Sequence, residues 1–111
     1  MIKDTLYMKY IKEREGFEII ESSEYFVLYK IRNGELFISH MYVKPEKRKS
    51  GLARMMTQEL KQIAKLNECQ CIVGTIDLRV GSPSNTLHAA LEIGYKVINA
   101  NNDIIIIGIE I

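Results

Sequence analysis

Apolar positions along this chain change their spacing repeatedly, and each change marks a new element. Leu6, Tyr7, Tyr10 and Ile11 recur at helical intervals, which predicts a helix over 2–14 with Asp4 or Thr5 as its cap and Gly16 as its stop. Strands follow at 17–21 and 25–31, the second alternating around Phe26, Leu28 and Lys30, with Ser22-Ser23 as the turn between them. Arg32-Asn33-Gly34-Glu35 reads as a tight hairpin, because Asn-Gly tolerates the positive φ of a primed turn. Residues 35–43 then form the third strand of an antiparallel meander. The strongest helical pattern covers 51–67. There Leu52, Met55, Met56, Leu60, Ile63 and Ala64 form one stripe, while Arg54, Gln58, Lys61, Gln62 and Lys65 face outward. A short apolar strand at 70–76 completes a strand–helix–strand crossover, so strands 35–43 and 70–76 should run parallel and nearly adjacent.

Gly81-Ser82-Pro83 opens a further helix, with Ser82 suited to the N-cap and Pro83 to the first helical position. Leu87, Ala90 and Leu91 supply its buried stripe, and Gly94 its C-terminal stop. Residues 95–100 and 104–111 make a closing hairpin around Asn101-Asn102-Asp103. The last strand, Ile104 to Ile111, is apolar on both faces. Such a strand is either sandwiched between others or paired with a second subunit, so a homodimer through it is one expectation. The order α-β-β-β-α-β-α-β-β points to a mixed α/β sheet within a single domain over 1–111.

Composition narrows the function more than the fold. Apolar residues make up 47% and charged residues 26% of the 111, which is ordinary for a globular protein. A net charge of +1 provides no global field for nucleic acid or an anionic membrane, so neither partner is expected. The positive charge is local instead: Lys44, Lys47, Arg48, Lys49 and Arg54 crowd one window with only Glu46 opposing them. Cys69 and Cys71, two apart in the expected strand, share a face, which is poor geometry for a disulfide and no metal signature. They read as small core residues of a reducing compartment. The opening Met-Ile-Lys-Asp lacks the apolar core of a signal peptide, and no run reaches the ~18 apolar residues of a membrane helix. A cytoplasmic protein without a metal is the expectation.

The basic window is also the most informative one chemically. Strand 35–43 ends in Val43-Lys44-Pro45, a glycine-containing turn follows, and the amphipathic helix starts at once. A turn of this kind aims successive backbone N–H groups and the positive end of a helix dipole at one place, which suits a phosphate or pyrophosphate. A nucleotide hydrolase is the wrong owner, since Lys49-Ser50-Gly51 reverses the required Gly-Lys-Ser/Thr order. The hexapeptide Arg48-Lys49-Ser50-Gly51-Leu52-Ala53, on this strand–turn–helix, resembles the R/Q-x-x-G-x-G/A signature of the GNAT superfamily of acyl-CoA-dependent N-acetyltransferases. Leu91-Glu92-Ile93-Gly94-Tyr95-Lys96 resembles a second family stretch that ends the later helix. The similarity spans roughly residues 25 to 110.

That resemblance implies a GNAT-like fold with splayed central strands and acetyl-CoA as the acyl donor. It implies that the turn amides at Arg48, Lys49, Ser50, Gly51, Leu52, Ala53 and Arg54 hold the pyrophosphate, with Gly51 and Ala53 small enough to let it approach. Lys47, Lys49 or Arg54 would meet the nucleotide's 3′-phosphate. The pantetheine arm would bond to backbone near Met41 and Val43, and Asn85 lies near where many members place an asparagine touching that arm. Catalytic positions match less well. The family's general-acid tyrosine, four residues before the helix-ending glycine, corresponds to Ala90, and the strand glutamate of some members to Phe37. Either the thiolate leaves unaided, or Tyr42 or Tyr95 serves, or catalysis is weak or absent. Asp77 at the exit of strand 70–76 is a candidate water-mediated base, and His40, expected on the face of Leu36, Ile38 and Tyr42, is a core or cleft histidine. The short N-terminal part implies an open acceptor site suited to a protein or peptide amine. The expected function is acetyl transfer from acetyl-CoA to a primary amine; the rival is an inactive GNAT-like binding module acting through a protein partner.

Overall fold

The computed structural model describes residues 6–48, 50–79, 81 and 83–111. The expectations for residues 2–5 with the Asp4 or Thr5 cap, for the Ile11 side chain, for Lys49 and for the Ser82 cap lie outside the described residues. The chain runs α1 (Leu6–Glu15), β1 (Glu18–Glu21), β2 (Tyr25–Arg32), β3 (Glu35–Val43), α2 (Leu52–Leu66), β4 (Cys71–Asp77), α3 (Pro83–Ile93), β5 (Lys96–Ala100) and β6 (Ile104–Glu110), with a short 3-10 turn at Pro45–Lys47. The strands form one six-stranded sheet in the order β1-β2-β3-β4-β6-β5. β3 and β4 pair in parallel, as the crossover requires, and the remaining pairs are antiparallel. The β2–β3 hairpin turns on Asn33 at φ 49° and Gly34 at φ 76°, the two positive values of a primed turn.

One core joins the sheet to α2 and the end of α3. Leu36, Ile72, Met56, Leu60 and Ala64 are fully buried within it, with Val27, Tyr29, Ile38, Ile76, Ala90, Tyr95 and Ile107 around them. The stripe on α2 differs from the expected one at two places. Met55 is 44% exposed, whereas Thr57 is buried and its hydroxyl meets the Tyr95 phenol at 3.3 Å. That hydrogen bond is what makes a threonine tolerable inside. On β2 the core side is Val27 and Tyr29 rather than Phe26 and Leu28, because every position from Tyr25 to Leu28 is apolar and pattern alone leaves the face open.

Three further expectations are corrected. The α1 side chains Leu6, Tyr7 and Tyr10 are exposed, so their helical spacing makes no buried stripe; α1 stands at the β1 edge, tied by a Lys12–Glu18 ion pair. Cys69 falls in the turn before β4 and is buried in the core, while Cys71, on the strand, is half-buried with its Sγ 3.9 Å from a Glu35 carboxylate oxygen. The two thiols therefore do not share a strand face, and burial pushes both up. Finally, β6 lies between β4 and β5, the sandwiched arrangement of the two expected, so the alternative of a second subunit pairing on its edge is the one corrected; the sheet's edge strands are β1 and β5.

Leu60→Ala, which empties a fully buried position between α2 and the sheet, is expected to lower the unfolding free energy by about 2–5 kcal/mol in a urea titration. Leu66→Ala, at a side chain 84% exposed on the same helix, should stay within ~0.5 kcal/mol of the parent.

Candidate functional site

The site starts from a break in the sheet. β3 and β4 pair only from Glu35–Cys71 to Ile38–Gly74, although β3 continues to Val43 and β4 to Asp77. β3 stays on β2 to its end, and β4 stays on β6, so the two central strands diverge beyond Ile38. At the point of divergence the β2–β3 register slips: Leu28 opposes His40, Tyr29 opposes Ile38, and Ser39 is the extra residue of a β-bulge. Lys44 N–H donates to the Glu24 carbonyl at 2.8 Å, and Tyr25 opposes Val43, so hydrogen-bonded pairs fall at Lys44, Tyr42 and His40. By the antiparallel alternation, the N–H and C=O of Met41 and Val43 then point away from β2, into the gap.

The bulge also decides which side chains share a face. Val27 opposes Met41 and Tyr29 opposes Ile38, and Val27, Tyr29 and Ile38 are core residues. His40 and Tyr42, opposed to Leu28 and Phe26, therefore point to the other face of the sheet. The expectation that His40 shares a face with Leu36 and Ile38 is overturned: strict alternation would give it, and the extra residue at Ser39 reverses it. On β4, Ile72 and Ile76 are in the core, so Asp77 also faces away from the helices. His40, Tyr42 and Asp77 thus flank the gap on one face.

From Val43 the chain crosses the 3-10 turn and enters α2 through Gly51, whose φ of 86° is a left-handed value that glycine adopts without strain. The first intrahelical bond, Met55 N–H to the Gly51 carbonyl, is 3.0 Å long. The amides of Leu52, Ala53 and Arg54 precede it and have no acceptor within the helix. A Cβ placed on Gly51 would meet nothing within 4 Å, so the space before these amides is open. The basic side chains around them are largely engaged elsewhere. Lys44 pairs with Glu46 at 3.3 Å and Lys47 with Glu24 at 3.2 Å. Arg54 donates to the Glu92 carbonyl at the end of α3, at 3.1 Å, rather than standing free for a 3′-phosphate. Arg48 donates from Nε to the Val43 carbonyl at 2.9 Å, and its guanidinium lies 5.3 Å from the centroid of the Tyr42 ring, which in turn stacks on Phe26. Ser50 Oγ donates to the Lys47 carbonyl. Side chains thus brace the turn, and the main chain is what it presents.

Comparison with known proteins bears on this arrangement. The profile of the Acetyltransferase (GNAT) family matches residues 8–92, most of the chain. The chain belongs to the GNAT acetyltransferase family. No protein of curated function matches it in sequence. Among solved structures, the PaiA N-acetyltransferase of Thermoplasma acidophilum in complex with coenzyme A superposes with a TM-score of 0.70 at 17% identity, over 79% of this chain and 54% of that one. The ribosomal-protein-S18-alanine N-acetyltransferase of Escherichia coli gives 0.69 at 12% identity, over 99% and 79% respectively. A Bacillus subtilis acetyltransferase in complex with CoA gives 0.69 at 12%, over 93% and 83%. The chain therefore spans about half the length of the Thermoplasma enzyme and most of the other two. At these identities the similarity concerns the fold, a GNAT mixed sheet with three helices.

Other GNAT-implied positions fall as follows. Ala90 is buried in the core, and its carbonyl accepts from the amides of Gly94 and Tyr95, so it offers no proton donor. Tyr95 is buried against Thr57; desolvation pushes its phenol up, and it lies beneath α2 rather than in the gap. Asn85 is exposed in the first turns of α3. His88 is likewise exposed and pairs with Glu92 at 2.9 Å. A cavity of about 450 Å³ lies at the far end of β4, beside Cys71, Lys96, Ile98 and Gly108. Its lining includes none of His40, Tyr42 and Asp77. Sequence reading missed two residues here, Ser39 and Arg79. Only the register exposes the first, and only the loop after β4 reveals the second.

Arg79 matters for Asp77. Its Nε and Nη2 donate to the two carboxylate oxygens at 3.0 Å each, and its backbone N–H donates to one of them at 2.9 Å. The Arg79 side-chain hydrogen bonds, followed by that backbone bond, hold the Asp77 carboxyl below the usual range. A carboxylate so occupied suits an orienting ion pair better than a proton acceptor at neutral pH. An NMR titration should find Asp77 below the ordinary value of about 3.9, and Arg79→Ala should raise it. Because the folded value is depressed, its stabilising contribution is complete above the unfolded value and is lost as pH falls through the folded one.

Proposed function

We propose that the chain is an N-acetyltransferase that moves an acetyl group from acetyl-CoA directly to a primary amine. The observation that carries this reading is the coincidence of two features at one strand end: β3 and β4 part beyond Ile38, and the turn leaving β3 presents the open amides of Leu52, Ala53 and Arg54. The donor's diphosphate meets those amides and its arm follows the backbone of Met41 and Val43 that faces away from β2, where an amide polarises the thioester carbonyl. Arg48, Lys49, Ser50, Gly51 and Asn85 complete the donor site in this reading. Arg48 must release the Val43 carbonyl if the arm is to use it, since its Nε holds that atom at 2.9 Å. The bound thioester supplies the acetyl group; no metal is required.

The acceptor approaches from the other face. α2 lies on the core side of the sheet, whereas His40, Tyr42 and Asp77 flank the gap from the opposite side. That side is broad and only half-covered around Phe37, Val73, Ile104 and Ile106, which favours an amine carried on a peptide or protein. The Escherichia coli neighbour, named for acetylating an alanine of ribosomal protein S18, is consistent with such an acceptor. In this reading Tyr42, on the same face, returns a proton to the departing thiolate. The specific observation favouring a second reading is Ala90 in the core. A chain lacking that donor can bind CoA and act only through a partner.

Titration calorimetry with acetyl-CoA and CoA tests the donor site. The parent should bind both, and Gly51→Glu, which adds a carboxylate where a diphosphate is to sit, should weaken binding about tenfold or more. Gly51→Ala shares the backbone strain at φ 86° without the charge and should bind better than Gly51→Glu. A folded parent that binds neither ligand contradicts the proposal. Thiol release in the presence of peptide amines then separates transferase from binding module.

A further inference from the structure

Ser39 and His40 are sequence neighbours whose side chains touch: Ser39 Oγ lies 2.9 Å from His40 Nδ1. On a regular strand this contact cannot form, because successive side chains point to opposite faces. It forms here because Ser39 is the extra residue of the bulge, which brings adjacent side chains onto one side at the place where β3 leaves β4. The imidazole is exposed beside the gap, and its Nε2 has no protein partner among the described residues. One nitrogen of the ring is therefore held by the fold while the other is unbonded on an exposed side chain among the described residues.

We propose that His40 is the base that deprotonates the acceptor amine, and that Ser39 is its positioning residue, holding the ring as the Nδ1–H tautomer with Nε2 free. The proposal rests on the transferase reading above. A neutral imidazole accepts a proton at only one nitrogen, so a hydroxyl donating to Nδ1 would leave Nε2 already protonated and useless as a base. A hydroxyl accepting from Nδ1–H leaves the Nε2 lone pair outward and still accepts from the imidazolium after proton uptake. Ser39 thus keeps its contact with the ring before and after proton uptake, as an orienting group does beside a catalytic histidine. In the step itself, the acceptor ammonium gives one proton to Nε2. The amine nitrogen then bonds to the thioester carbonyl carbon, the C–S bond breaks, and the sulfur departs with the electron pair; the nitrogen gives up its second proton, which the thiolate takes through the Tyr42 hydroxyl, leaving the amide and CoA thiol. The imidazolium later loses its proton to water.

On the sheet face that carries His40, β3 also bears Tyr42, with the Arg48 guanidinium over its ring, and Glu35, whose carboxylate lies 3.9 Å from Cys71 Sγ; β2 bears Lys30, whose ammonium lies over Phe17 at 4.6 Å; and β4 ends in Asp77, joined to Arg79.

Long-range ¹H–¹⁵N NMR of the histidine rings, assigned with His40→Gln and His88→Gln, reads the tautomer directly and needs no acceptor. The parent should show His40 mainly as Nδ1–H, Ser39→Ala should shift it to Nε2–H, and Ser39→Thr should restore the parent pattern. In thiol-release kinetics with acetyl-CoA and a set of short peptides bearing free N-termini, His40→Gln should lower kcat by ~10². Ser39→Ala should lower it by about 5-fold, with CoA affinity unchanged in both. A parent that binds CoA but carries His40 as Nε2–H, or a His40→Gln variant with parental kcat, overturns the proposal. A parent that binds no CoA instead overturns the transferase reading, whatever the tautomer.

Discussion

Ser39 is one residue too many for the ladder between β2 and β3, and the site is built around that surplus. A strand bonded along its whole length to β2 on one side and β4 on the other would bury its main-chain groups in pairings. The bulge adds twist where β3 is already held by β2, and β4 is held as firmly by β6 through to Asp77. Beyond Ile38 the two ladders part. Main-chain groups at Met41 and Val43 are left facing a gap, and His40 and Tyr42 are turned to the face opposite the helices.

The second consequence concerns charge. The basic window looks like a cluster of side chains waiting for an anion, yet most of those side chains are committed to carboxylates, to backbone carbonyls or to an aromatic ring. Exposed ion pairs of this kind contribute little to stability by themselves. Their value here is geometric: they fix the path from Val43 to Gly51 so that the first amides of α2 face open space. Fixed dipoles at a helix start need no rearrangement to meet a phosphate, whereas long cationic side chains would have to be ordered first.

Much of this is legible in the sequence. Asn33-Gly34, Gly51 and Gly94 mark turns whose chemistry is local, and each has a positive φ in the structure, which the sequence itself called for at Asn33-Gly34. The parallel pairing of β3 and β4 followed from the crossover alone. The rest depended on register, which no single strand encodes. Tyr25 to Leu28 are apolar throughout, so the side of β2 that meets the core is chosen by its partners. The surplus at Ser39 exists only relative to β2, and so the face of His40 could not be read. The burial of Thr57 is likewise invisible in the helix pattern, because its partner, the Tyr95 phenol, lies far along the chain. Asp77 looked like a free carboxylate until the following loop placed Arg79 on it.

The central claim is that the donor lies along the gap between Ser39–Val43 and the end of β4, with its diphosphate at the start of α2. Amide hydrogen exchange with and without CoA measures this residue by residue. Met41, Val43, Leu52, Ala53 and Arg54 should gain protection on addition of the ligand, while Lys96 and Ile98 beside the β5–β6 cavity should stay unchanged. Protection confined to that cavity, with the turn and the gap unaltered, would contradict the account.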